Sequence, residues 1–299
     1  SLSLFLTKII IKPFKKIFPD KPNDRSAHKA IRPRGGGLAF ISANLITCNL
    51  FNQTAFIFLI PLSLVCFFDD FKSLSKLLRF FTQLSTSYYI IFSSTTYEII
   101  QGNTNQISFI ISICFLVVIS TGIINFCNFI DGIDGLLTSL ILIFLLSSLS
   151  LTFGSIYGII GALGGFLIWN WNPSKIFMGD IGSNFLGGVV VWSLLNTKNI
   201  DGSVGLFLVL SPLILDCLVC LIRRVIKKQP IFEAHSLHLY QRLVKGGMSQ
   251  RSVVLIYSMF SFIISISYFA GGLKIAFLMT AINLLISFLI EKKFAANFT

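Results

Sequence analysis

Charge is scarce in this sequence, and negative charge is scarcer still. Of its 299 residues 12% are charged, with twelve Asp and Glu against 24 Lys and Arg. A soluble domain carries roughly twice that charged share, so a soluble globular fold is excluded. Histidine is limited to three residues and methionine to four. The first methionine is Met178, so Ser1 is no translational start, and the chain is expected to lack part of a first helix. There is no Walker motif, no dinucleotide fingerprint and no internal repeat of the kind that builds a transporter's inverted halves. No polar linker divides the chain, so residues 1–299 are expected to form a single integral membrane domain.

What the sequence has in quantity is apolar length. It is 54% hydrophobic, with 31 Phe and a mean hydropathy of +0.83. Apolar stretches of about 16–20 residues recur throughout, which is bilayer length. They lack the alternation of a barrel, and lipid permits only helices or closed barrels. The expected fold is therefore all-α and polytopic, with about ten complete spans. These lie near 36–51, 54–70, 78–93, 107–124, 136–153, 156–171, 182–196, 204–222, 252–270 and 272–290, after a truncated first helix whose apolar stub is 1–11. If the stub ends in the cytosol, the cytoplasmic segments are about 12–35, 69–79, 125–135, 172–181, 223–251 and 291–299. Only Lys198 and Lys274 of all the basic residues then fall near the opposite face, as the positive-inside rule requires. The net charge of +12 is accounted for by this topology and by attraction to anionic lipid or nucleotide phosphate. No soluble domain is present to bind nucleic acid.

Six Cys lie in or beside the spans, where a free thiol packs as a small hydrophobe. Cys217-Leu-Val-Cys220 has redox or zinc spacing, but it sits in an apolar helix with no His nearby, and ordinary packing is expected. Gly154, Gly158, Gly161 and Gly165 lie three or four residues apart and predict a helix-packing face.

The few acids collect on one side. Asp69, Asp70, Asp131, Asp134 and Asp180 fall at predicted cytoplasmic span ends, against Glu98 and Asp201 opposite. A carboxylate in an apolar membrane chain is costly without a cavity, partner or metal. The segment Asn125-Phe-Cys-Asn128-Phe-Ile-Asp131-Gly-Ile-Asp134-Gly135 places two acids and two amides together, each acid followed by Gly. Carboxylates hold Mg²⁺, and glycine lets backbone approach a phosphate. Asp69-Asp70 next to Lys72, and Asp180 between Gly179 and Gly182, suit a cation, a base or a phosphate. In the longest predicted loop, a helix would put His235, His238 and Arg242 on one face, three donors for a diphosphate. Zinc is discounted there, because the loop lacks further ligands. Arg32-Pro-Arg34-Gly35-Gly36-Gly37 is read as either a phosphate nest or the start of a helix.

Taken in order, these motifs resemble the polyprenyl-phosphate N-acetylhexosamine-1-phosphate transferases. Pro22-Asn23-Asp24-Arg25-Ser26-Ala27-His28 with Pro33 through Gly37, Asp69-Asp70 with Leu74-Ser75, Asn125 through Gly135, Met178 through Ser183, and Asp216 with Arg223-Arg224 carry the resemblance from about residue 20 to 250. The resemblance implies a magnesium-dependent membrane transferase, with Mn²⁺ as a substitute. It implies metal binding by Asp180 and Asp134, and catalysis by Asp69, Asp70, Asp131 and Asp134. Asn128, Asn170, Lys72, His235, His238 and Arg242 would bind substrate. The implied partners are a polyprenyl phosphate lipid, a UDP-N-acetylhexosamine and the membrane, with a homodimer allowed. The implied place is the bacterial inner membrane, the site facing the cytoplasm.

Many such enzymes carry a nearly contiguous His-x-His-His where this chain has His235-Ser-Leu-His238. That departure resembles the branch initiating O-antigen and capsule synthesis rather than the enzyme that uses UDP-MurNAc-pentapeptide. Direct displacement and a covalent aspartyl intermediate stay open. A transporter with a cytoplasmic acidic ring is the competing class; it requires mid-bilayer acids and repeat symmetry.

Overall fold

The computed structural model describes residues 1–22, 30–54, 56–72, 74–231, 233 and 235–298. The Asn23–His28 part of the first-loop motif lies outside them. The chain is helical nearly throughout. In order it forms α1 (Leu2–Ile17), β1 (Pro19–Asp20), β2 (Arg32–Pro33), α2 (Gly37–Phe51), a 3-10 turn (Ile57–Leu59), α3 (Ile60–Lys72), α4 (Lys76–Phe92), α5 (Thr95–Asn103), α6 (Gln106–Ile130) and α7 (Leu136–Ser148). It continues with α8 (Tyr157–Asn170), α9 (Gly179–Leu195), α10 (Ile200–Val209), α11 (Ser211–Ile226), α12 (Leu239–Lys245) and α13 (Gln250–Phe294). The two short strands pair antiparallel, Pro19 opposite Pro33.

Side-chain caps set several helix starts. Ser75, Ser94, Asn105, Asn199 and Ser249 each accept a backbone N–H from the first turn of α4, α5, α6, α10 and α13, supplying partners the helix itself lacks. Pro212 starts α11 after a 66° bend from α10, a position where its missing N–H costs nothing. Gly272 (φ 70°, ψ −164°) divides the 45 residues of α13 into two rods.

Helices occupy the predicted spans, but their lengths differ from expectation. Among the described residues α6 and α13 are long and apolar enough to cross a membrane, or three segments if bent α10–α11 counts as one. The helices α2, α7 and α8 have 15, 13 and 14 residues. At about 1.5 Å per residue they rise roughly 20 Å, short of a hydrocarbon core of about 30 Å. The apolar runs continue past the helix ends into turns. After α7, for example, Thr152 bridges Thr197 and Phe153 N–H donates to Asn196 O.

At the centre stands α9, buried along almost its whole length and packed on α2, α3, α4 and α6. Its glycines allow this. A Cβ on Gly187 would sit 2.7 Å from Ile124 Cα, and one on Gly188 2.5 Å from Leu59. Of the four glycines predicted to make one packing face, Gly158 of α8 meets α2 at Cys48 and Thr47 and Gly165 meets the start of α1 at Ser1 and Leu4, whereas Gly154 precedes α8 and a Cβ on Gly161 would meet nothing. Large apolar side chains such as Leu50, Ile107, Val118 and Ile226 are more than 70% exposed. This apolar perimeter suits a protein embedded in lipid.

Candidate active site

The start of α9 is brought against the ends of α2 and α3 by glycines. Gly36 and Gly37 N–H donate to Phe177 O and Met178 O at 2.8 and 2.9 Å, so Gly35-Gly36-Gly37 is a helix start packed on α9 and not an anion nest. A Cβ on Gly37 would lie 2.5 Å from Gly182 Cα. Gly179 has φ +74°, and a Cβ there would sit 2.7 Å from Asp70 Oδ2. Glycine is therefore required for α3 to deliver its acids to the mouth of α9.

Around that mouth an Arg holds the acids together. Arg79, on the first turn of α4, donates from Nη1 to Asp69 Oδ2 at 2.6 Å and to Asp180 Oδ2 at 2.9 Å. Leu74 N–H also donates to Asp69, at 2.6 Å. Asn128 Nδ2, on α6, donates to Asp180 Oδ1 at 3.1 Å and to Ser183 Oγ at 2.9 Å. Behind them a relay of amides runs through the bundle. Asn125 donates to Gln83, Gln83 to Asn184, and Asn184 to Asp180 O. Asp70 Oδ2 is buried with no hydrogen-bond partner. Asp131 closes α6. Burial, then the negative field of Asp180, holds its carboxyl well above the usual carboxylate range. Asp70 and Asp131 both lie in the negative field of Asp180, and Asp70 offers an orphaned oxygen. That donor chemistry fits a hard divalent cation.

Asp134, expected among the metal ligands and catalytic acids, does not join this group. It is 3% exposed and saturated by Arg32 Nη1 (2.8 and 2.9 Å), Asn172 Nδ2 (2.9 Å) and Ser174 N–H and Oγ (both 2.9 Å). Its own N–H donates to Gln250. It ties β2, the α8–α9 connection and the start of α13 to the α6–α7 loop. Asp134→Ala would strand the Arg32 guanidinium, at a cost of about 3–5 kcal/mol. A marked fall in unfolding temperature is expected; an unchanged one would show the clamp to be dispensable.

Asn170 is likewise a fastener. It is buried, accepts from Thr138 Oγ1 at 2.7 Å and donates to Ile176 O at 3.1 Å. Lys72 is exposed at the end of α3. The predicted helical face of His235, His238 and Arg242 does not form, because α12 begins only at Leu239. The reason lies on another helix. Asp216 of α11 accepts the N–H groups of Leu239 (2.7 Å) and Tyr240 (3.1 Å) and the Tyr257 hydroxyl (2.6 Å), fixing the helix start there. Arg242 turns away to Glu291 (2.5 Å) and Ala296 O (2.8 Å). His238 is buried, its Nδ1 3.5 Å from Asp216 Oδ1. Burial opposes its protonation, but Asp216 outweighs burial and raises it. His235, half-buried, is pushed down to about 4 by burial and then by His238. The loop does converge on the acidic mouth: Tyr240 Oη donates to Phe129 O at 2.8 Å, and the His238 ring lies 6.0 Å from that of Phe129.

The chain is similar to known proteins along most of its length. The family description glycosyl transferase family 4 matches residues 53–198. A Bacillus subtilis (strain 168) protein, the probable undecaprenyl-phosphate N-acetylglucosaminyl 1-phosphate transferase, is 31% identical over 300 residues, covering 88% of this chain and 81% of the relative. The chain belongs to glycosyl transferase family 4, the polyprenyl-phosphate N-acetylhexosamine-1-phosphate transferases. An undecaprenyl-phosphate alpha-N-acetylglucosaminyl 1-phosphate transferase of Thermotoga maritima is 30% identical to this family 4 member, covering 81% of this chain and 80% of its own. A phospho-N-acetylmuramoyl-pentapeptide-transferase of Fervidobacterium nodosum is also 30% identical, covering 83% and 85%.

In this family 4 transferase, Arg79, Gln83 and Asn184 position the acids, and reading the sequence missed all three. Arg79 falls there among the cytoplasmic basic residues, and neither Gln83 nor Asn184 is given a role. Their one available signal was cost: an amide in a span needs a partner.

Proposed function

We propose that this chain moves N-acetylhexosamine-1-phosphate from a UDP-sugar to polyprenyl phosphate, in the simplest case undecaprenyl phosphate. The observation that carries the reading is the Arg79 bridge between Asp69 and Asp180, with Asp70 and Asp131 in the field of Asp180, at one end of an apolar bundle, in a family 4 chain. A lipid phosphate reaches such a mouth laterally, and a nucleotide reaches it from water.

A lipid phosphate oxygen attacks the β-phosphorus. The bond from that phosphorus to the bridging oxygen breaks, and UMP leaves with the electron pair. Phosphoryl transfer asks mainly for alignment and charge neutralisation. Mg²⁺ held by Asp70, Asp131 and Asp180 would neutralise diphosphate charge and polarise its oxygens. Arg79 keeps Asp180 and Asp69 oriented, Asn128 fixes the other Asp180 oxygen, and Lys72 lies exposed nearby as a further cation. The His235–His238 segment borders the nucleotide side.

Relatives named for N-acetylglucosaminyl phosphate transfer, together with the open His spacing, support a UDP-GlcNAc-like donor and initiation of an O-antigen- or capsule-like glycan. The Fervidobacterium relative supports a second reading, transfer of phospho-MurNAc-pentapeptide. The topology proposed is about ten crossings of a bacterial inner membrane, as one domain, monomeric or dimeric, with the acidic mouth facing the cytoplasm. Purified protein given Mg²⁺, undecaprenyl phosphate and a panel of UDP-sugars is expected to release UMP with UDP-GlcNAc or a deoxy relative such as UDP-FucNAc. Release only with UDP-MurNAc-pentapeptide would establish the second reading. Absence of UMP from every donor would overturn both.

A further inference from the structure

The fold brings Cys220, on α11, to two histidines 15 and 18 residues further along the chain. Ligand atoms of Cys220, His235 and His238 all lie within 4.8 Å of one another. Cys220 is 2% and His238 3% exposed, and the Nδ1 of His238 is turned to Asp216 Oδ1, 3.5 Å away. We propose that Cys220 Sγ and the imidazoles of His235 and His238 bind one soft divalent cation of the zinc class, leaving a fourth position open. This corrects the expectation that Cys220 has no His near it and that the loop lacks ligands.

The chemistry of the cluster is distinct from that of the acidic mouth. Sulfur and imidazole select zinc-like ions, whereas carboxylates select Mg²⁺. A tetrahedral ion with bonds of about 2.0–2.3 Å puts its ligand atoms about 3.5 Å apart, so the three side chains must close by about 1 Å. The backbone is already folded for this. Arg224 donates to Ile231 O and Glu233 O at 3.2 and 3.3 Å, and also to Pro230 O, drawing the segment back onto α11. Asp216 stands 3.5 Å behind His238, where a carboxylate commonly orients a metal-bound imidazole. Binding takes the thiol proton from Cys220 and requires neutral imidazoles, so protons leave as the cation enters. His235 Nδ1 accepts from Leu237 N–H at 3.3 Å; coordination through Nε2 returns the ring proton to Nδ1 at the expense of that long contact. The thiolate and Asp216 together balance the divalent charge. A cation here would pin the His segment to α11, next to Phe129 and the acidic mouth.

Co²⁺ is the probe, because its thiolate complexes absorb visibly. Titrating the full chain with Co²⁺ in detergent is expected to give a thiolate-to-cobalt charge-transfer band that saturates at one equivalent and is removed by Zn²⁺. Cys220→Ser should abolish that band, and His235→Ala should weaken Co²⁺ binding at least roughly tenfold. Asp180→Asn should leave the band unchanged, which separates this site from any Mg²⁺ site. Lack of the band in the wild-type chain at excess Co²⁺, or its persistence in Cys220→Ser, would overturn the proposal. Should Cys220→Ser fail to fold, the wild-type spectrum and His235→Ala, altered at a half-buried loop position, decide it.

Discussion

Asp180→Asn is expected to reduce turnover by at least roughly 10²–10³-fold, the scale of losing one preorganised electrostatic contact to a transferring group. The substitution keeps the shape of the side chain. Asn128 Nδ2 can still donate to the remaining carbonyl oxygen, and Arg79 keeps its 2.6 Å contact with Asp69. What changes is charge and donor direction. The new amide nitrogen faces Arg79 Nη1 at the former 2.9 Å contact, donor against donor. Losing a charged hydrogen bond of this sort costs about 1.5–3 kcal/mol, less here because both side chains are 29% exposed. The chain should therefore still purify as a folded protein. The measurement is UMP release across a Mg²⁺ titration, with unfolding temperature recorded beside it. Full activity at saturating Mg²⁺ would remove Asp180 from the reaction. Chelation of divalent ions should silence the wild-type chain as thoroughly as the substitution does.

The sequence made the acidic mouth readable because burying carboxylates is expensive. Asp69, Asp70, Asp131 and Asp180 stood out against an apolar background, and the structure gathers them. Asp134 looked the same in sequence but is consumed by Arg32 and Ser174, more than 30 residues away in either direction. No local pattern distinguishes a carboxylate that waits for a ligand from one that already has five contacts. The same limit applied to Cys220. Its histidines are distant in sequence, and the turn that returns them depends on Arg224 reading backbone carbonyls.

Helix positions were legible and helix ends were not. In α7, α8 and α9 the apolar residues are not gathered into one stripe, so periodicity cannot mark which face is buried or where the last turn unwinds. The start of α12 depended on Asp216 of α11, a cap supplied from another helix. The small-residue spacing of Gly158 and Gly165 was the exception, since close backbone approach needs glycine whichever neighbour is chosen.

Gly179→Ala tests whether the acids must be held this closely. A non-glycine residue at φ +74° costs about 1–2 kcal/mol, which the fold can absorb. The Cβ itself is the larger problem. It would lie 2.7 Å from Asp70 Oδ2 and 3.0 Å from Gly35 N, both closer than ordinary contact. Gly35 is backbone and locked by the Gly36 and Gly37 hydrogen bonds to α9, so Asp70 must give way. Its displaced carboxylate then leaves the orphaned Oδ2 without the position it holds beside Asp180. A misplacement of about 1 Å in a catalytic group can cost roughly 10²-fold in rate, and that is the loss expected here. The loss should come with a raised Mg²⁺ requirement, because one oxygen donor has moved. A small fall in unfolding temperature with a large fall in rate is the expected pattern. Wild-type rate and Mg²⁺ dependence in Gly179→Ala would show that Asp70 does not need this position to act.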